Sequence, residues 1–463
     1  MKENKKMEVL LIQKQAFPYF GVTSISGYLK KHNHNTDCLI DNLTPIETQK
    51  EVFDKADIIG VSVLSTEHAW LIDTVRKIRS MVGFKLIIIG GIHAILYPEI
   101  LWETEADMLC IGEGEEAFRK IADGKSWSSI EGIWLKDGTK NNMPKLIQKF
   151  DWVEDRDIYY NRYPSLKKEE QKQFITGRGC EFRCNFCFNK HIQKKFSRMG
   201  KYIRKKPVDL VIKEIEAVES KVICFSDDNF IADKKWIFDF LEKYRRKINK
   251  PFMCVLRADL MTSEVANELS KSGCHTVSMG VETGNEETRK NILNKNLSNN
   301  AIFRAATLLQ INNIRIQTSN MFGIPGETIE DALKTIQFNI DIGTDFAFTA
   351  MLLPFPDTDI ERIALEYGWL DKPLSFESLP QSFFSSSVFN SPDIHILERI
   401  KAIAYWSIAY PKLFWFLKKL IRLECRLLFT LINNSGIFFR YKAERKLSFI
   451  SAVKMFCRYS KST

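Results

Sequence analysis

A chain of 463 residues with 45% apolar and 27% charged side chains holds enough hydrophobic material for two or three packed domains, which excludes a disordered protein. Its formal charge of +10 is unevenly placed: 13 Lys or Arg against Glu424 and Glu444 fall between Lys401 and Thr463, leaving about −1 for everything before them. That excludes a uniformly basic nucleic-acid binder and confines any attraction to an anionic surface or substrate to the tail. Ten cysteines scattered through so long a chain do not read as a disulfide framework. The opening MKENKKMEVLLIQ is basic, but its apolar stretch is too short for a secretory signal, so reduced thiols in a cytoplasm are expected.

In chain order, the apolar runs 9–12, 37–41, 58–64, 85–91 and 107–112 predict buried parallel strands, with helical patterns at 22–31, 67–81 and 113–122 between them. Residues 1–125 are therefore expected to form a doubly wound, Rossmann-like α/β domain, with its ligand beyond the carboxyl ends of the strands. Residues 126–170 read as a linker: WLKDGTKNN predicts a small hairpin and DWVEDRDIYYNRYPS an irregular connection. A second alternation over 171–370, with strands at 173–176, 222–226, 253–257, 275–281, 314–320 and 346–352, predicts a partial (β/α)6 barrel. Residues 371–463 turn helical, aromatic and basic.

The segment Gly177-Arg178-Gly179-Cys180-Glu181-Phe182-Arg183-Cys184-Asn185-Phe186-Cys187 places three cysteines at C-x3-C-x2-C after a predicted strand, with two glycines where the chain wraps. Thiolates are soft ligands for iron–sulfur clusters or zinc. A four-iron cluster normally takes four cysteines, so three leave one iron open to chemistry. A closed zinc site wants four ligands in two spaced pairs; no second pair lies nearby, and His191 is the one local candidate for a fourth ligand.

GRGCEFRCNFCFN resembles the signature of the radical S-adenosylmethionine (SAM) superfamily. The likeness continues through FSDDNF (225–230), MGVETGNEETRKNILNKNL (279–297) and MFGIPGET (321–328). IIGVSVLS, IIIGGIHA and IGEGEEAF resemble the domain that precedes the barrel in the cobalamin-dependent subgroup. The resemblance implies that Cys180, Cys184 and Cys187 hold a [4Fe–4S] cluster whose open iron chelates SAM. It further implies that Phe186 borders the adenine, that Ser226, Asp227 and Asp228 meet the amino group, that Glu282 contacts the ribose and that Arg257 meets the carboxylate. Each has a structural alternative: the Ser-Asp-Asp-Asn run as a cap or turn, Glu282 as the cap of a helix opening near Asn285, Arg257 as the partner of Asp259 or Asp228. Thr328 with Asp331 reads as a capping pair, and Gly323 to Gly326 as the loop before it.

The D-x-H-x-x-G motif, whose His takes the cobalt of many cobalamin domains, is absent; the only D-x-H, from Asp393 to His395, is followed by Glu398 in place of Gly. The cobalamin expectation rests on position. Ser62, Ser65 and Thr66, then Gly90, Gly91 and His93, follow central strands, and Gly112-Glu113-Gly114-Glu115 opens another helix at the expected nucleotide tail. His93 is a candidate for the lower corrin face or a phosphate, or a plain polar contact.

The tail segment 411–432, PKLFWFLKKLIRLECRLLFTLI, predicts one helix with Lys418, Arg422 and Arg426 spaced along a face. Its charges are too frequent for a membrane span, which leaves packing on the barrel or rest on a membrane surface. Together these readings predict a cobalamin-dependent radical SAM methyltransferase acting at an unactivated carbon or similar poor nucleophile. The resemblance implies that a 5′-deoxyadenosyl radical takes a substrate hydrogen, that methylcobalamin supplies the methyl group, and that a second SAM remethylates the cobalt. The alternatives are oxidative cyclisation or rearrangement with the same cofactors, and, in a different class, an electron-transfer iron–sulfur protein. A reductant such as ferredoxin or flavodoxin, a small-molecule, lipid or peptide substrate, no nucleic acid, and a cytoplasmic place with membrane contact through the tail as an option complete the expectation.

Overall fold

A computed structural model of the chain describes residues 5–380 and 387–444, with Phe449 and Val453. These residues fall into two compact units, the first taking the chain up to Glu170 with Gly177–Gly179 and His191–Ser220, the second taking the rest. One break falls between Glu170 and Gln171 and none at 125, while Gly177–Gly179 and His191–Ser220 return to the first unit because segments far apart in sequence pack together.

In the first unit, β1 (Glu8–Gln13), β2 (Asn35–Ile40), β3 (Ile58–Ser62), β4 (Leu86–Gly90), β5 (Met108–Cys110) and β6 (Ile133–Leu135) form one sheet in the order β2-β1-β3-β4-β5-β6. The first five strands run parallel and β6 antiparallel to β5. Their near-continuous apolar runs are buried because helices cover both faces of such a sheet. Phe20–Lys31, His68–Val82 and Gly114–Ala122 are the main helices, close to the predicted spans. The predicted hairpin exists: Leu135 N–H donates to Thr139 O at 2.8 Å around Gly138, whose φ is +97°. Its first arm is β6, so it extends the sheet.

The segment read as an irregular linker is packed instead. Tyr159 Oη accepts from the Tyr19 N–H (3.1 Å), Tyr163 Oη accepts from the Ile40 N–H (2.8 Å), and Trp152 Nε1 donates to Ser24 Oγ (3.1 Å). Its aromatic rings supply the apolar area that an exposed linker lacks. Nearby, Lys206 Nζ sits 2.6 Å from Glu154 and 2.9 Å from Glu214, with all three side chains almost fully buried.

The second unit holds β7 (Gln171–Phe174). After it, β8 (Gly177–Arg178) and β9 (Arg204–Lys205) make a two-stranded antiparallel ribbon that the apolar pattern does not announce and that belongs to the first unit. With β10 (Val222–Phe225), β11 (Phe252–Leu256), β12 (Cys274–Glu282), β13 (Arg315–Phe322) and β14 (Phe346–Met351), β7 forms a fully parallel sheet in the order β14-β13-β12-β11-β10-β7. Strands following one another in sequence order around a curled sheet give the predicted half-barrel. Phe225 packs on Phe240 and Tyr244 of the helix Lys234–Lys247, and Thr318 Oγ1 donates to Asn339 of Ile329–Asp341, so these residues face the covering helices. By strand alternation Ser226, Gln317 and Ser319 face the concave side.

The helix Ile394–Ala409 closes the outer face near β14, burying Leu397, Ile400 and Ile403 against Phe322, Ile336 and Met351. The single helix predicted over 411–432 is instead two, Pro411–Leu420 and Arg426–Glu444. Arg399 Nη1 donates to the Ile421 carbonyl at 3.1 Å and Ile421 is buried, so tertiary contacts end the first helix where local propensity would continue it. Lys418, Arg422 and Arg426 thus form no continuous stripe. The tail expectation beyond residue 444 lies outside the described residues, apart from Phe449 and Val453. Among the described residues no helix is long and apolar enough to cross a membrane.

Candidate active site

The three cysteines lie in the loop beyond β7, in the second unit. Cys184 is buried, Cys180 and Cys187 are half-buried, and none is in a disulfide. Burial pushes the Cys180 thiol up to about 12 and Cys187 up to about 11, with the Asp228 carboxylate adding to both, and it raises Cys184 too. Iron must displace these protons to bind. The loop is tied down from one side: Asn185 N–H donates to Leu293 O (2.9 Å), Asn185 Nδ2 to Ile292 O (2.8 Å), and Asn294 Nδ2 to Arg183 O (2.8 Å). Phe186 packs against the apolar core of this unit. Three unpaired thiols in one anchored loop fit a three-thiolate [4Fe–4S] site with an open iron.

The strand-end residues divide by what holds them. Asp227 accepts the Thr176 N–H (2.9 Å) and hydroxyl (2.5 Å), which fastens the end of β10 to the end of β7, while Asp228 is exposed. Ser226 N–H donates to Phe174 O at 2.8 Å and its hydroxyl lies 3.6 Å from Cys224 Sγ. Arg257 Nε donates to Asp259 (2.8 Å), its Nη2 donates to Asn296 O (2.6 Å), and its guanidinium lies 3.7 Å from the Phe182 ring centroid. Glu282 occupies the left-handed region at φ +67°, where β12 shifts register against β13, and pairs with Lys295 at 2.7 Å. It caps no helix: Asn285 does, accepting from Glu287 N–H (3.0 Å) and Thr288 N–H (3.2 Å). Thr328 and Asp331 form the predicted capping box.

Three neighbours escaped the sequence reading. Lys295 stands in the NILNKNL stretch; Asn229, in FSDDNF, donates to Glu181 Oε1 at 3.2 Å. Asn229 Oδ1 and Glu181 Oε2 are buried with no hydrogen-bond partner among the described residues, as polar groups beside a ligand site would be. Their signal was presence in the resembling segments, without a role attached.

In the first unit, Ser62 ends β3 with Ser65 and Thr66 just after it, and Gly90 ends β4 with Gly91 and His93 just after it. Gly91 has φ +96°, and a Cβ there would lie 2.7 Å from Val63 O, so only glycine fits this turn. The Ser65 hydroxyl is buried without a partner among the described residues. His93 is fully buried; its Nε2 lies 3.0 Å from His68 Nδ1, and His68 Nε2 lies 3.2 Å from Glu103. Burial, and secondly His68, hold His93 down to about 3, so it is neutral. Glu113 is engaged by Arg178 (2.9 Å), Arg204 (2.8 Å) and the Ile147 N–H (2.7 Å), and Gly114 packs against Ile25 at the start of its helix. A glycine-lined edge with an orphan buried hydroxyl fits a flat ligand beyond β3 and β4; Glu113 is taken up by its arginines.

The sequence profile of the Radical SAM superfamily matches residues 174–338, and that of the B12 binding domain matches residues 14–122. The chain belongs to the radical SAM superfamily, in its cobalamin-binding subgroup. An uncharacterized methyltransferase of Pyrococcus horikoshii is 27% identical over 71% of this chain and 74% of its own length. The bacteriochlorophyllide d C-12(1)-methyltransferase of Chlorobaculum tepidum is 24% identical over 67% of this chain and 66% of its own. The cobalamin-dependent SAM radical enzyme OxsB, solved with aqua-cobalamin, superposes with a TM-score of 0.71 at 15% identity, over 94% of this chain and 72% of OxsB, a likeness of fold. This radical SAM enzyme has a [4Fe–4S] cluster, SAM and cobalamin as cofactors, and it needs a reductant.

Proposed function

We propose that this radical SAM enzyme is a cobalamin-dependent methyltransferase acting at an unactivated carbon or a similarly poor nucleophile. The observation that carries the reading is one chain joining a three-thiol loop at the mouth of a half-barrel to a B12-binding domain, with two relatives named as methyltransferases. When bound, the cluster and SAM supply the 5′-deoxyadenosyl radical and cobalamin supplies the methyl group.

The chain's own residues position and enclose. Cys180, Cys184 and Cys187 are assigned to the iron, and Phe186, packed from behind, to the adenine. Ser226 and the exposed Asp228 are assigned to the amino group, with Asp227 fixing that strand end through Thr176. Glu282 is assigned to the ribose, with Lys295 as its positioning residue. Arg257, already gripped by Asp259, would meet the carboxylate with its remaining nitrogen. Ser62, Ser65, Thr66, Gly90, Gly91 and neutral His93 are assigned to cobalamin, and Gly114 to its tail.

Anaerobically reconstituted protein, given SAM, a low-potential reductant and fractionated cell extract, should release both 5′-deoxyadenosine and S-adenosylhomocysteine and add 14 mass units to a substrate, since CH3 replaces H. Release of 5′-deoxyadenosine without S-adenosylhomocysteine would overturn methyl transfer in favour of cyclisation or rearrangement. Release of neither would overturn the enzyme reading in favour of electron transfer.

A further inference from the structure

Two buried cations, Lys401 and Arg440, lie side by side at one edge of the half-barrel. The helix Arg426–Glu444 packs on Ile394–Ala409, and Gly436 makes this approach close: a Cβ there would stand 3.2 Å from the Tyr405 ring. The contact brings Arg440 alongside Lys401 at β14, the last strand of the sheet, which among the described residues pairs only with β13. Arg440 is 4% exposed and Lys401 5%. Arg440 faces no carboxylate within ion-pair distance among the described residues, and its buried Nε has no hydrogen-bond partner there. Lys401 Nζ donates to Asn433 Oδ1 at 3.0 Å. Burial, with Arg440 as a repelling neighbour and Glu398 opposing, holds the Lys401 ammonium down to about 8.

Arg440 is therefore the uncompensated charge of the two, and a buried charge with no counter-charge costs several kcal/mol, which a fold avoids unless something else neutralises it. A small cleft lies against the pair, lined by Thr349, Lys401, Tyr405, Asn433 and Arg440. Its open volume, about 10 Å³, holds about one water or one ligand oxygen. The cleft lies on the helix side of β14, beside Ala347 and Thr349, but the Arg440 side chain extends from it to the strand's other face. Thr318 faces the helices and pairs with Ala347, so Phe348, paired with Ser319, faces the concave side. The Arg440 guanidinium carbon lies 4.6 Å from the Phe348 ring centroid, at that edge.

We propose that Arg440, with Lys401, binds an anionic group of the substrate, a carboxylate or a phosphate, at the open edge of the half-barrel. The guanidinium takes one ligand oxygen, the ammonium and Asn433 border it, and the organic remainder runs over Phe348 toward the concave side. This deepens the methyltransferase reading and rests on it only for the word substrate; anion binding is read on the protein itself.

Binding is measured by calorimetry on the reconstituted holoenzyme at fixed ionic strength, with formate, inorganic phosphate, phenylacetate and the neutral phenylacetamide as probes. Wild type should bind phenylacetate at least tenfold more tightly than formate and should not bind phenylacetamide. Arg440→Gln should weaken phenylacetate at least tenfold, Arg440→Lys less, and Lys401→Gln several-fold, each compared only where iron and corrinoid content match wild type. Equal binding by wild type and Arg440→Gln, or no anion binding by wild type, overturns the site. Formate or phosphate binding as tightly as phenylacetate overturns a substrate site in favour of one for free inorganic anions. Loss of anion binding in Arg440→Gln supports the site even if methyl transfer fails for every extract.

Discussion

Glu282 and Lys295 form an enclosed ion pair, Oε1 to Nζ 2.7 Å with both side chains 9% exposed. Lys295 also donates to Gly280 O at 2.6 Å, bridging the register shift that puts Glu282 at φ +67°. A non-glycine residue in that region stores about 1–3 kcal/mol and persists only where its surroundings over-determine it. The strain aims a carboxylate beyond the end of β12 and Lys295 keeps it there.

Lys295→Met should therefore leave a buried carboxylate unpaired and destabilise the protein by about 3–5 kcal/mol. Lys295→Met with Glu282→Gln should recover most of that stability in thermal unfolding, yet bind SAM more weakly than wild type. Full recovery of SAM affinity in the double variant would reduce the pair to scaffolding.

Replacing Cys180, Cys184 or Cys187 singly with Ala should remove the oxygen-sensitive brown chromophore and all 5′-deoxyadenosine formation. Cys38, Cys224, Cys254 and Cys274 are buried in strands, so Ala there should lower stability by about 1–3 kcal/mol and leave iron content unchanged. Iron analysis and product chromatography separate the two sets. An essential Cys224 beside a dispensable Cys187 would reverse the assignment.

The parts legible in the sequence are those set by local pattern. VLLI and KLIIIGG read as strands because a parallel sheet is apolar on both faces, and the cysteine loop reads as a cluster site because ligand spacing is written in consecutive residues. What escaped depends on residues distant in sequence. Lys295 reaches Glu282 across a bulge that no period announces. The 151–165 stretch is full of polar and turn residues, yet Trp152, Tyr159 and Tyr163 bury themselves against helices and strands more than a hundred residues upstream. The tail helix reads as continuous because only a side chain from another helix, Arg399, stops it at Ile421. Arg440 counted as one more basic tail residue until its burial appeared.

Cobalamin content and cobalt coordination make a further test. His93 is buried against His68 on a chain without D-x-H-x-x-G. The holoenzyme should carry about one corrinoid per chain, with no axial nitrogen splitting in its cobalt(II) spectrum. His93→Ala should weaken corrinoid binding and leave that spectrum as it is. Nitrogen splitting that disappears in His93→Ala would show His93 beneath the metal. Retained SAM cleavage with no corrinoid bound would remove the methyltransferase reading.

The same histidine should make the apoprotein acid-sensitive. Burial and His68 hold His93 down to about 3 in the folded chain, against about 6.5 when unfolded. The folded state thus refuses a proton that the unfolded state accepts. The stability tied to this group is fully present above pH 6.5, and falls by about 1.4 kcal/mol per pH unit as the pH drops from there toward 3. By pH 5 the loss is about 2 kcal/mol. His93→Gln cannot take up that proton, so its own stability, lower at pH 7.5 for the lost packing, should change less on acidification. Urea unfolding of both proteins at pH 7.5 and 5.0 should show wild type losing about 2 kcal/mol more than the variant. Equal losses would mean that His93 protonates within the fold, and that its contact with His68 opens well above pH 3.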